Sequence, residues 1–239
     1  MKNLKYLTVF ILLLSIAACT NAQIRRTVYG NGHVSKQDRQ AGKFDGLRVS
    51  SGIDVYLKQT DNESITVETD ENLQEYIKTE IKDGILNVYT DANIREAEMK
   101  RVYVSMKDIN SLKTSSAGDI IGETPVKTSN LKLSASSAGN IKLEVSADRI
   151  DADLSSSGDM TLSGKADILD VSLSSAGDLN AYGLEVREAD VSASSAGDAD
   201  INVLEKLTAR ASSAGDINYR GNPKYIDAHS SSAGGVHRK

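Results

Sequence analysis

The residues best placed to do chemistry are aspartates that recur at one position of a repeated motif. They are Asp119, Asp159, Asp178, Asp198 and Asp216, while Asn140 and Gly235 hold the same position in two further copies. Stacked carboxylates can bind calcium, but the calcium-binding nonapeptide repeat GGxGxD is absent. An aspartate after a glycine is also a typical turn residue that bonds nearby backbone N–H groups. We therefore treat the aspartates as a candidate binding row without a metal, with a turn role as the alternative.

Residues for nucleophilic catalysis are not spaced for it. No serine lies in a GxSxG setting, and His33, His229 and His237 have no recognisable spacing to the serines. Carboxylates clustered on a β-helix could cleave an acidic polysaccharide, but short and uniform repeats leave no long loops to form a cleft. The sequence predicts a non-enzymatic protein without a cofactor, and a carbohydrate-active enzyme is the less favoured alternative.

Composition and charge exclude further classes of protein. A single cysteine excludes an intramolecular disulfide and every multi-cysteine metal site. A formal net charge of -5 argues against nucleic acid as a partner, because such proteins need a basic face.

The single cysteine, Cys19, follows a segment typical of an export signal. Lys2 and Lys5 precede an apolar stretch, residues 7–17, that is too short to span a bilayer of about 30 Å. The sequence Ile-Ala-Ala-Cys at 16–19 resembles the bacterial lipobox, which implies acylation of Cys19 and attachment to a membrane. Ordinary secretion is the alternative. We expect a lipoprotein signal peptide at 1–18 and a lipidated tether at 19–42 that could include a first strand.

A five-residue motif, SSAGD or a close variant, occurs seven times between Ser115 and the C-terminus. Its glycines recur every 18–21 residues, at Gly118, Gly139, Gly158, Gly177, Gly197, Gly215 and Gly234. Between the motifs apolar and polar residues alternate, as at Leu169, Val171 and Leu173, which is typical of β-strands. A period of about 19 residues is too short for a propeller blade. The sequence predicts an all-β fold in which 111–239 form a parallel β-helix of about seven rungs.

The alternation also assigns an orientation to the motif. It places the second serine and the glycine inward, where the chain bends and backbones approach closely. Because buried hydroxyls need partners, we expect the second serines to form a ladder between rungs. These serines are Ser116, Ser137, Ser156, Ser175, Ser195, Ser213 and Ser232. We expect Ser175→Val to destabilise the fold by overpacking.

Residues 43–110 lack the full motif but contain the related segment FDGLRVSSGIDVYL and several further alternating stretches. We expect an irregular β head domain that covers the first rung, because the ends of a solenoid must differ from its interior. No cap is apparent after Gly234, so association of two chains through that end is one option.

Several segments together resemble the family described as "Putative auto-transporter adhesin, head GIN domain", whose members include lipoproteins of Bacteroidetes-type bacteria. The segments are the lipobox, YGNGHV, FDGLRVSSGIDVYL, ENLQEYIKTEIKDGILNVYT, the SSAGD repeats and GNPKYIDAHSSSAGG. The resemblance implies a right-handed parallel β-helix and a location in the cell envelope, and it supplies no catalytic residues.

These observations favour a rigid surface for binding a glycan or an envelope protein. Tyrosines could stack on sugars, and the candidates are Tyr56, Tyr89, Tyr103, Tyr182 and Tyr225. A purely structural spacer is the alternative. We expect an anchored lipoprotein, in the outer membrane, and the sequence leaves open whether it faces the periplasm or the outside. The oligomeric state is also left open.

Overall fold

The computed structural model describes residues 26–239, so the predicted signal peptide and Cys19 lie outside the described residues. Within this range the helical structure is one 3-10 turn, Glu71–Leu73, and no helix is long and apolar enough to cross a membrane. Strands make up most of the rest. The all-β prediction is confirmed.

The strands fall into an N-terminal group of short elements and a C-terminal group dominated by long ones. The first group is β1 Thr27–Tyr29, β2 Val34–Arg39, β3 Gly46–Val49, β4 Asp54–Gln59, β5 Ser64–Asp70, β6 Ile77–Lys82, β7 Ile85–Thr90, β8 Asn93–Glu96 and β9 Lys100–Met106. The second group is β10 Ser111–Thr114, β11 Asp119–Gly122, β12 Val126–Ser136, β13 Asn140–Ser155, β14 Asp159–Leu173, β15 Asp178–Ala193, β16 Asp198–Ala211, β17 Asp216–Arg220, β18 Tyr225–Ser230 and β19 Gly235–Arg238.

The second group forms a β-solenoid of about seven turns, as the repeat period predicts. Successive repeats pair in parallel with equivalent residues opposite each other, so that Ala152, Val171, Val191 and Ala209 form one column. All four side chains are buried, with at most 4% exposure. One layer of small and aliphatic side chains per turn therefore fills the interior, which explains why the sequence contains so few aromatic residues.

Each SSAGD motif forms a tight turn rather than a bent strand. In the first copy Ser116 and Ala117 have φ values of 52° and 56°, and the Gly118 N–H donates to the Ser115 carbonyl at 3.1 Å. Two consecutive residues with positive φ, closed by this bond, define a type I′ turn. The other copies repeat these angles, including the Ser156–Ser157 copy.

The inward orientation predicted for the second serines was wrong. Ser116, Ser137, Ser156, Ser175, Ser195, Ser213 and Ser232 are all exposed. The alternation of a strand does not continue through two left-handed residues, which rotate both side chains outward. The glycine after them is buried in every copy but the last, as at Gly118, and the chain then resumes its inward–outward alternation.

The ladder at the turns is made by the backbone, not by serine hydroxyls. The Ala117 N–H donates to the Ser137 carbonyl at 3.0 Å, and the Ala138 N–H donates to the Ser156 carbonyl at 3.1 Å. The same bond continues to the last pair, from the Ala214 N–H to the Ser232 carbonyl at 3.1 Å. Within residues 26–239 no hydrogen bond joins two of these hydroxyls. The second serine thus contributes its carbonyl to the ladder and its side chain to the surface.

The N-terminal strands continue the solenoid and then cap it. Strands β3 and β4 pair in parallel with β10 and β11 across a Ser51–Gly52 turn that also has positive φ at both positions. Strands β7 and β9 pair in parallel with β3 and β4 and form one more rung. Antiparallel β5 and β6 then pair with β9 and β7. Antiparallel β2 lies outermost on one side. One core cluster runs from Phe44 to Tyr219, so the sheet and the core continue across residue 110. The domain limits 43–110 and 111–239 stay a prediction.

Candidate binding surface

The predicted aspartate row exists as one continuous column on the outside of the solenoid. Strand pairing places Asp119, Asn140, Asp159, Asp178, Asp198, Asp216 and Gly235 opposite one another in successive rungs. Neighbouring strands of a sheet are about 4.8 Å apart. Each rung from Asp159 to Asp216 therefore presents one carboxylate within reach of the next.

Sequence reasoning missed one member of the column. Asp54 pairs with Asp119 and begins the row, on the extra rung made by β3 and β4. In the segment SSGID the residue after the turn is Ile53 instead of glycine, which hides the motif. Aligning the serine pairs, instead of the glycines, would have found Asp54 at the same distance from the turn.

The middle of the row is electrostatically crowded. Partial burial raises the pKa of Asp178, and the charges of Asp159, Asp198 and Asp200 raise it further. Partial burial also raises the pKa of Asp54, with Asp119 adding to the effect and Arg101 opposing it. Both carboxylates would therefore gain from a nearby positive charge.

The ends of the row have polar partners that its centre lacks. Asp119 accepts a hydrogen bond from the Asn140 amide at 2.8 Å, and Asp216 lies 3.9 Å from His237 Nε2. Within residues 26–239, Asp159, Asp178 and Asp198 take part in no ion pair. We call these three residues the acidic centre.

Several acidic residues elsewhere on the solenoid have cationic partners. Arg210 Nη1 lies 3.4 Å from Asp190, and Lys206 Nζ lies 3.9 Å from Glu188. Arg187 lies between two acids, at 3.1 Å from Glu205 and 3.6 Å from Asp167. The acidic centre therefore stands out as a run of adjacent carboxylates without compensating charge.

The acidic row offers one carboxylate per rung and not a metal cage. In the part of the chain that the structure describes, no group of three or more His, Cys, Asp and Glu side chains lies close enough to hold a metal ion.

Serines line the neighbouring surface in two columns. The first serines of the motif are half-buried in every copy but the last, as at Ser174 and Ser194, and the second serines are exposed. An open trough of about 550 Å³ runs over the first serines and also contacts Asp153 and Arg210. No histidine is among the residues that line this trough.

Two of the five candidate tyrosines come together, but not as an open stacking platform. The rings of Tyr56 and Tyr103 stack with their centroids 5.4 Å apart. Lys36 lies 5.0 Å from the Tyr103 centroid and Arg101 lies 5.8 Å from that of Tyr56. The pair therefore already has cationic neighbours at its ring faces.

The remaining tyrosines are dispersed. Tyr89 lies on β7, Tyr182 on β15 and Tyr225 on β18. Arg220 lies 3.9 Å from the Tyr182 ring centroid, and Tyr225 is 71% exposed at the C-terminal end. These five tyrosines therefore do not form one contiguous groove for a sugar chain.

Fold and surface together define a β-solenoid protein with broad, regular outer faces and open troughs. The family model described as "Putative auto-transporter adhesin, head GIN domain" matches residues 43–223, and the chain belongs to this family. The family description points to a protein of the cell envelope or cell surface.

Solved structures share the fold. A protein named a putative adhesin from Bacteroides fragilis superposes with a TM-score of 0.84 at 19% identity, over 89% of this chain and 100% of that one. A putative adhesin from Parabacteroides distasonis gives 0.71 at 23% identity, over 89% of this chain and 100% of that one. A protein from the same species named a putative lipid binding protein gives 0.73 at 21% identity, over 90% and 100%. No match was found among curated proteins.

Proposed function

We propose that the chain is a non-enzymatic lipoprotein of the cell envelope that uses the outer face of its β-solenoid to adhere to a protein partner. Membership in an adhesin family supports adhesion in general. The observation that carries the proposal is the acidic centre, where three aspartates on adjacent rungs have no cationic partner among the described residues.

The acidic centre favours a binding role because its arrangement costs free energy in the isolated protein. The raised pKa of Asp178 reports this cost, since burial and neighbouring carboxylates disfavour its charged form. A partner that brings lysine or arginine side chains to the row relieves the repulsion and gains complementary charge.

A protein partner is favoured over a stacked sugar chain by the tyrosines. Cations lie near the faces of Tyr56, Tyr103 and Tyr182, which are the surfaces that sugars would use. A structural spacer without a ligand is the competing function, but a spacer role does not explain the acidic centre.

The row can be tested with the variant D159N/D178N/D198N and a charge-matched control, D61N/D148N/D153N. The control residues are exposed, and none forms an ion pair within residues 26–239. The probe is poly-L-lysine, and binding of the purified protein is measured at physiological salt. We expect the row variant to lose at least about tenfold in affinity and the control to lose less than about threefold.

Equal losses in the two variants would mean that only net charge matters, and the acidic centre would not be a binding surface. Protease shaving of intact cells complements this test. Loss of the C-terminal repeats, with a periplasmic control protein preserved, is expected for an adhesin exposed to the outside. Cleavage only after lysis would contradict adhesion to external partners.

A further inference from the structure

The two ends of the solenoid are finished differently. At the N-terminal end, antiparallel strands β5, β6 and β2 cover the rung made by β7 and β9. At the C-terminal end, β18 pairs with β16 and β19 pairs with β17, and no other described strand pairs with either. The last rung therefore presents an open row of backbone N–H and C=O groups.

The side chains of the last rung show the same lack of cover. Ile226 pairs with Leu207 and belongs to the inward column, yet Ile226 is 50% exposed whereas Leu207 is fully buried. Every residue of β18 is exposed. An apolar column that should end in a packed layer thus ends at the surface.

The basic residues that usually protect edge strands are present at the N-terminal edges but absent from β18. The N-terminal edges contain basic residues, Lys36 and Arg39 on β2 and Lys78 and Lys82 on β6. Such charges discourage further strand pairing. Strand β18, with the sequence YIDAHS, contains no lysine, arginine or proline. Arg238 protects β19, the other strand of the last rung, so β18 is the part of the open edge without such a residue.

We propose that β18 is an interface for a second copy of this chain, bound tail to tail by antiparallel pairing about a twofold axis at Ala228. A twofold axis normal to the sheet reverses the strand direction, so an edge that meets its own copy pairs antiparallel. This arrangement continues the sheet from one molecule into the next.

The charges of β18 fit this register. With Ala228 on the axis, Asp227 lies opposite His229 of the partner subunit, and the symmetry repeats the contact. Within one chain Asp227 Oδ1 and His229 Nδ1 are already 3.1 Å apart, so the four groups would form one alternating set. Ile226 then lies opposite Ser230 of the partner subunit, and only the small Ala228 approaches its own copy.

A head-to-tail arrangement fits less well. It would set β18 against β2 or β6, whose basic residues guard those edges, and it would not close after two copies. The tail-to-tail proposal does not depend on the acidic centre, which lies along the side of the solenoid.

Disulfide trapping tests the register directly in the membrane-bound protein. Residues opposite each other in an antiparallel pair have Cα atoms about 4.5–5.5 Å apart, within the usual disulfide range of about 4.4–6.8 Å. We expect Ala228→Cys to give a dimer on a non-reducing gel after mild oxidation. Leu204→Cys is the control, because Leu204 is 44% exposed on the side of the rod. We expect it to remain monomeric.

A second comparison uses Ile226→Lys and Leu204→Lys, two lysines introduced at similarly exposed apolar positions. Sedimentation equilibrium in detergent should show a dimer for the wild type and for Leu204→Lys, and a monomer for Ile226→Lys with an unchanged circular dichroism spectrum. Monomers in the wild type at all concentrations would overturn the proposal. So would a ladder of higher oligomers, or equal crosslinking of both cysteine variants.

Discussion

At the scale of single residues, the serines of the motif show how one backbone angle decides what a side chain can do. Ser175 has a φ of 52°, a region that L-residues enter at a cost, and its side chain is exposed. Its hydroxyl therefore lies on the outer surface. Ser175 contributes to the fold by adopting the positive φ that the turn requires.

Ser175→Val should destabilise the protein, but through backbone strain and not through overpacking. A β-branched residue at positive φ is a steric outlier, and we expect a loss of about 1–2 kcal/mol in the free energy of unfolding. Ser172→Val is the control, because Ser172 is exposed on β14 of the same rung and lies outside the turn. Urea unfolding of both variants measures the difference, and equal stability would contradict the strain argument.

The raised pKa of Asp178 also predicts how the stability of the protein depends on pH. Because the folded pKa of Asp178 is raised from 3.8, its ionisation disfavours the folded state as the pH rises through that value. Asp178→Asn should therefore raise the melting temperature at pH 7, and the gain should shrink as the pH falls below 3.8. Thermal melts of the wild type and of Asp178→Asn, at pH 7 and at a pH below 3.8, measure this difference. Asp153→Asn, on another face, controls for the loss of a surface charge.

At the scale of elements, the turn and the buried glycine act together to hold adjacent rungs at backbone contact. A Cβ added at Gly158 would lie 2.3 Å from the Ala135 carbonyl oxygen of the preceding rung. The glycine is therefore required by close approach of two backbones, and the turn ladder depends on that approach.

Gly158→Ala should separate the two rungs and cost about 1–3 kcal/mol of stability, the usual range for overpacking. Gly42→Ala is the matched control, since its new Cβ would meet only the Ile81 side chain at 3.4 Å. Chemical denaturation should show a lower midpoint for the first variant alone. A similar midpoint for both would mean that the rungs can separate without cost.

At the scale of the whole molecule, the described strands form a rod that is capped at one end, and at the other end no described strand pairs with the outer edges of β18 and β19. If the N-terminal end carries a lipid anchor at Cys19, as we propose, Cys19→Ser should move the protein from the membrane to the soluble fraction. Fractionation followed by detection of the C-terminal repeats measures this. The matched variant Ser15→Ala, also within the N-terminal segment, should stay with the membrane. Retention of Cys19→Ser on membranes would contradict lipid anchoring.

The sequence by itself determined the repeat, the strand phase and the register. Seven motifs at nearly constant spacing and period-two alternation are local patterns, and a solenoid stacks equivalent residues, so the columns followed directly. The aspartate row was placed correctly because Asp119 and its equivalents lie on strands, where alternation holds.

Only the tertiary structure decided what happens at the turns and the ends. Two left-handed residues interrupt the alternation, so the direction of Ser116 and its equivalents could not be read from phase. The serine pair of SSGID marks the position of Asp54, but the pairing of β4 with β11 is what places it beside Asp119. The contrast between Ile226 and Leu207, equal in sequence phase, arises because one has a rung above it and the other does not.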